Sequence, residues 1–168
     1  MESEWFKKSK KIGRWFEAEV DKVLKQKGCE LVDSEKLSYQ RKKGWDRLVK
    51  LKGEQTYIEE KFDRMAEDTP NVCVEVTSIN QSISPIWIYG LPTQKPDGTY
   101  IIDLYTMYLH RLKPLAAKYP TRYLGEYNNP CHLIPRYQFT EAQDSEGKVV
   151  NHFHTLTYET KPRALLPF

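Results

Sequence analysis

The chain lacks the marks of a membrane, secreted or disordered protein. No apolar run approaches the roughly 20 residues a helix needs to cross a bilayer. The opening MESEWFKKSKK has no continuous apolar stretch of the kind a secretory leader requires. Cysteine is scarce: Cys29, Cys73 and Cys131 are odd in number and show no CxxC spacing. That argues against a disulfide framework and against a cysteine zinc site, and it suits a reducing cytoplasm. Internal repeats, low-complexity tracts and linkers are absent too, so the reading is one domain over residues 1–168.

What is present is a soluble composition with its charge unevenly placed. A chain of 168 residues is long enough to bury a real core. The first 52 residues carry 15 Lys/Arg against 9 Asp/Glu, while the remaining 116 carry 11 against 14. The excess gathers in KKSKK (7–11) and RKK (41–43). Basic clusters attract polyanions, nucleic acid above all, although a solvated face would look the same.

Ile12, Trp15, Phe16, Val20, Val23 and Leu24 recur at spacings of 3 and 4, which predicts a helix over 12–27 with Gly28 as its stop. Strands are expected at 29–32, 47–51, 55–62, 71–79, 84–90 and 149–158, all bounded by turn residues. Residues 93–100 read as a loop. From Asp103 a helical pattern runs through Leu104, Tyr108, Leu109 and Leu112, with a break at Pro114.

Between 47–51 and 55–62 lies Lys52-Gly53-Glu54-Gln55, which suits a two-residue turn with Gly53 at its first central position. In that register Asp46 opposes Lys61 and Leu48 opposes Glu59. Asp46, Leu48, Tyr57, Glu59 and Lys61 then share one face, and Val49, Leu51, Ile58 and Phe62 the other. Two carboxylates brought together repel unless a cation lies between them, and a hard divalent ion with oxygen ligands, Mg²⁺ or Mn²⁺, fits such a site. A solvent-facing hairpin with cross-strand Lys–Asp and Arg47–Glu60 pairs is the plain alternative.

GWD (44–46) followed by EEK (59–61) resembles the PD-(D/E)XK nuclease superfamily, whose members share a helix followed by a mixed sheet. There an Asp starts one strand and a (D/E)-x-K lies on the next. The helix is similar as well: Glu17, Val20, Leu24 and Gly28 fall in the family's order, with Glu19 the competing acid if the helix is rotated. The stretch IEEKFDRMAEDTPNVCVEVTSINQSISPIWIYG is similar to the phage-associated branch. It departs from that branch at Pro70, where glycine is expected, and at SISP (82–85), which replaces a Ser-Gly turn; no proline precedes Asp46. The resemblance covers residues 10–112.

The resemblance implies an α/β, restriction-endonuclease-like domain: a mixed β-sheet flanked by helices, with 113–168 as an extension. It implies an Mg²⁺-dependent (or Mn²⁺-dependent) deoxyribonuclease, more an endonuclease than an exonuclease, in a phage or mobile-element setting in the host cytoplasm. Asp46, Glu59 and Glu17 would be metal ligands and Lys61 would position the attacking water. Arg41, Lys42, Lys43, Lys50 and Lys52 are candidate phosphate contacts. The partner is DNA, with RNA left open, without a membrane, and a homodimer is compatible with a structure-specific enzyme. Two rivals stand beside this reading: a nucleic-acid-binding module that keeps the fold without the chemistry, and a structural or regulatory phage protein.

Weaker signals are His152 and His154, which alternation places on one strand face as a potential metal pair, and Glu75, on the Cys73 face of its strand. Tyr123, Tyr127 and Tyr137 among Arg122 and Arg136 form a pattern that can stack bases. For the histidines a surface role, and for Glu75 an exposed ion pair, are the plainer readings.

Overall fold

The computed structural model describes residues 2–32, 47–125 and 128–167. Helix α1 (Glu4–Gln26) opens the chain and starts two turns earlier than its apolar periodicity predicts. Ser3 caps it, its hydroxyl accepting from the Phe6 N–H, and Glu4 sits favourably in the first turn. Its buried stripe is Ile12, Phe16, Val20, Val23 and Leu24. Strands β1 (Glu30–Leu31), β2 (Arg47–Leu51) and β3 (Glu54–Phe62) follow, then a 3₁₀ turn, β4 (Asn71–Glu75) and α2 (Val76–Gln81). Next come β5 (Ile86–Gln94), β6 (Tyr100–Tyr108) and α3 (Leu109–Ala117). The last third supplies β7 (Thr121–Leu124), β8 (Asn129–Pro135), α4 (Arg136–Thr140), the short pair β9 (Gln143–Asp144) and β10 (Gly147–Lys148), and β11 (Asn151–Tyr158).

The architecture is mixed α/β. A six-stranded sheet in the order β1-β2-β3-β5-β6-β11 is antiparallel throughout except where β3 runs parallel to β5. Helix α1 covers one face, burying Val49, Ile58, Ile88, Ile102 and Leu104 together with Leu165 of the tail. The other face carries Trp87, Tyr89, Leu91 and Met107, covered by α2, α3, α4 and a three-stranded sheet β4-β8-β7. Residues beyond 112 are therefore part of both layers: β11 edges the large sheet and β8 pairs with β4.

Three elements differ from their expected form. The strand expected over 71–79 stops at Glu75 and turns into α2. The β4–β8 register would set Val76 against Pro130, which has no N–H to give a ladder. The helix expected from Asp103 is strand β6 up to Tyr108. That strand lies between β5 and β11 with residues buried on both sides, so its apolar run does not distinguish strand from helix by period. Pro114 does not break α3 but lies inside it. A proline there costs about 3 kcal/mol, and burial of Leu109, Leu112 and Leu115, at about 1.5–3 kcal/mol each, offsets it.

Candidate active site

The hairpin forms, in a register two residues from the expected one. Leu51 pairs with Glu54, so Lys52 and Gly53 are the central turn residues, with φ of 51° and 83°. Two positive φ values are the signature of a type I′ turn, where the expected type II′ needs only one. Leu48 consequently faces Tyr57 and not Glu59. A shift of two preserves parity, so Leu48, Tyr57, Glu59 and Lys61 share one face, as the alternation requires. Asp46, Arg41, Lys42 and Lys43 lie outside the described residues.

On that face the Lys61 Nζ stands 3.1 Å from Glu59 Oε1 and 3.2 Å from the Ser78 hydroxyl, to which it donates. Ser78 in turn donates to Glu75 Oε2 at 2.9 Å. Glu59 is only 8% exposed, flanked through the parallel ladder by fully buried Trp87. The Lys61 ammonium lies 5.8 Å from the Trp87 ring centroid. Glu59 and Lys61 share one face, as strand alternation requires; their direct contact is seen only in the structure. Ser78 was missed because its segment read as strand.

The other face of β3 carries a separate ionic group. Arg47 donates to Asp21 Oδ1 at 2.8 Å and to Glu17 Oε2 at 3.1 Å. Burial would lower the Arg47 pKa, but the Asp21 hydrogen bond and the charges of Glu60, Asp21 and Glu17 push it above its ordinary value. Arg47 thus pairs with α1 as well as lying in the field of Glu60. Glu19 is turned elsewhere, accepting from Lys22 and from the Tyr158 hydroxyl. Glu17 therefore sits across the sheet from Glu59 and Lys61 and is held by Arg47.

Both groups nevertheless border one cleft of about 510 Å³. It lies where residues 59–62 of β3 extend past the described part of β2, between the N-terminal half of α1 and the β4–β8 sheet. Glu17 and Glu60 line one side, Lys61 and Glu75 the other, with Phe16, Phe62 and Tyr89 between them. Trp5 and Met65, each more than half exposed, stand at its rim. Lys50 and Lys52 do not border it; Lys52, in the turn before Glu54, is roughly 20 Å or more along the strand from Lys61 at about 3.4 Å per residue. Arg64 does line the cleft; desolvation lowers the Lys8 pKa, and the charges of Arg64 and Lys161 add to that.

Two further groups line the cleft. Burial pushes the Asp63 carboxyl up, against hydrogen bonds from the Cys73 and Ala66 N–H groups at 2.6 and 3.3 Å. Cys73 and Cys131 lie diagonally across β4 and β8, where Cys73 faces Leu133 and Glu75 faces Cys131. The hydrogen bond between their thiols, with burial, holds the Cys73 pKa up, and the same hydrogen bond lowers that of Cys131.

Carboxylates and a hydroxyl are the donors a hard cation takes, and Glu59, Glu75 and Ser78 supply these in kind. Among the described residues no three His, Cys, Asp or Glu side chains stand close enough to hold an ion.

A β-bulge between His152 and His154 puts their partners at the consecutive positions Tyr105 and Leu104, so the two imidazoles leave opposite faces and do not form a pair. His152 instead contacts Asp103 and Thr155. Arg136 is not available for stacking: its guanidinium donates to the Ala66, Leu91 and Pro92 carbonyls and to Thr93. Tyr123 and Tyr137 are well exposed, and Tyr127 lies outside the described residues. Among the described residues no helix is long and apolar enough to cross a membrane.

No protein-family model, curated protein or solved structure matches this chain.

Proposed function

We propose that this protein is a metal-dependent deoxyribonuclease of the PD-(D/E)XK kind, cutting phosphodiester bonds within a DNA strand. One observation carries the reading: Glu59 and Lys61, two apart on β3, meet at 3.1 Å, and Lys61 borders an open cleft. The restriction-endonuclease-like arrangement is part of the proposal. It is supported by an opening helix, an antiparallel hairpin with Glu-x-Lys on its second strand, and a mixed sheet.

Glu59 with Asp46 would hold Mg²⁺ or Mn²⁺, with Glu17 contributing from across the cleft through water. A bound ion supplies charge to the phosphate and lowers the pKa of a water. Lys61, positively charged beside Glu59, orients the attacking water and neutralises charge growing on the phosphate oxygens. Glu59, nearly buried, keeps its carboxylate aimed because Lys61 and the ladder to β5 hold it. The same reading carries a phage or mobile-element setting, a cytoplasmic location and a dimer for any structure-specific cutting.

The test is cleavage of supercoiled, linear and branched DNA, with an RNA control, in Mg²⁺, Mn²⁺ and EDTA. Cutting that needs metal and disappears in Lys61→Ala and Glu59→Ala is the expected result. Wild-type protein that binds DNA yet cuts nothing in any metal would overturn the proposal and leave a binding module.

A further inference from the structure

We propose that Ser78 and Glu75 form a relay that positions Lys61; the reading of what Lys61 then does rests on the nuclease proposal, whereas the relay rests on geometry alone. The Lys61 Nζ is 3.2 Å from Ser78 Oγ, and Ser78 Oγ is 2.9 Å from Glu75 Oε2. A serine hydroxyl has one proton to give. The Lys61 ammonium can only donate and the Glu75 carboxylate can only accept, so Ser78 accepts from Lys61 and gives its proton to Glu75. The hydrogen-bond polarity along Lys61, Ser78 and Glu75 is therefore fixed from both ends, and each bond polarises the next.

The relay answers a mechanical need. Lysine is a point charge on a flexible four-carbon stem, and the Lys61 side chain is a quarter exposed, so packing alone does not fix it. Glu59 Oε1 directs one of its three N–H bonds and Ser78 directs a second, which sets the rotation of the ammonium. The two anchors come from different parts of the fold: Glu59 from β3, Ser78 and Glu75 from the place where β4 ends and α2 begins. The early end of β4, beside Pro130, thus acquires a use. A β4 continuing as a strand would give Val76, Thr77 and Ser78 alternating directions, whereas one helical turn sets Ser78 three residues on from Glu75, on the same side.

Wild type, Ser78→Ala, Ser78→Thr and Glu75→Gln are compared by two measurements. The first is the ¹⁵N-correlated signal of the Lys61 ammonium, which persists only while its protons are held in hydrogen bonds. It is expected in wild type, lost in Ser78→Ala, weakened in Glu75→Gln and restored in Ser78→Thr, which keeps the hydroxyl. The second is steady-state cleavage: kcat falls about 10- to 100-fold in Ser78→Ala and Glu75→Gln, the range for a residue acting through another. KM stays within about 2-fold, because a misplaced Lys61 loses its hold on charge that grows only in the transition state, and Ser78→Thr recovers most of the rate. A Lys61 signal unchanged by Ser78→Ala overturns the relay. A lost signal with unchanged kcat overturns its positioning role. If wild type cuts no nucleic acid the nuclease proposal falls, and the Lys61 signal by itself upholds or overturns the relay.

Discussion

Glu59 and Glu60 are neighbours in the chain and face opposite sides of the sheet. Glu59 meets Lys61 at 3.1 Å, while Glu60 faces α1 and lies in the field of Arg47. The period-2 alternation of a strand divides two chemically identical carboxylates between two environments.

The division makes the two substitutions unequal. Glu59→Gln should lower cleavage by more than the roughly 100-fold that loss of an outer-shell partner costs. Glu60→Gln should cost less than about 10-fold in kcat, the lower end of that range. Parallel rate measurements under saturating Mg²⁺ decide this, and equal losses would show that the face assignment does not matter to the chemistry.

Arg47 joins β2 to α1 through Asp21 and Glu17, with Arg47 itself about one-tenth exposed and the two carboxylates about a quarter. Removing one partner of a buried pair typically costs about 3–5 kcal/mol. The partial exposure of the acids puts Arg47→Ala near about 3 kcal/mol, at the low end of that range. Urea denaturation measures it. A loss below 1 kcal/mol would mean that solvent already screens the pair.

Gly90 of β5 lies against the Phe16 ring of α1. A Cβ there would stand 2.5 Å from Phe16 Cε2 and 2.7 Å from Cζ. Phe16 is fully buried, so its ring has little room to move. Gly90→Ala should destabilise by about 1–3 kcal/mol, the usual cost of overpacking. Adding Phe16→Leu should make the pair less destabilised than the two single costs added together. A strictly additive double mutant would show that the clash is relieved elsewhere.

Arg111 holds the β9–β10 hairpin through Asp144, with contacts of 2.6 and 2.8 Å and a further bond to the Gly147 carbonyl. The Arg111 hydrogen bond brings the Asp144 pKa down to about 2, from about 3.9 in an unfolded chain. A carboxylate depressed in the folded state adds stability that is complete above its unfolded pKa and is lost as pH falls through its folded one. The Tm difference between wild type and Asp144→Asn should therefore be full at pH 6, shrink below about pH 4 and vanish only below about pH 2. A difference that persists unchanged at pH 2 would mean that the charge is not what holds the hairpin.

The shared face of Glu59 and Lys61 was legible because a local rule carried it. The spacing of Glu59 and Lys61 puts both on one face in any antiparallel register of the same parity, so the two-residue shift of the turn left their meeting intact. Helix α1 was legible in its apolar stripe, though its first two turns were not, since they contain few of the residues that mark a buried face. The misread elements were those whose local pattern was ambiguous. Strand β6 is apolar on both faces, and Val76 continues the alternation of Val72 and Val74 until its would-be partner proves to be Pro130.

By itself the sequence determined the helix that opens the fold, the hairpin and the side of β3 on which Glu59 and Lys61 stand. These follow from periods of 3.6 and 2 along a single stretch of chain. Only the tertiary structure decided that Glu17 lies across the sheet with Arg47, that a bulge separates His152 from His154, and that Ser78 and Glu75 reach Lys61. Those relations join residues about 14 to 30 positions apart, or hang on a single inserted residue. They arise from which strand pairs with which, a choice made by burial of the whole core rather than by any segment's own preference.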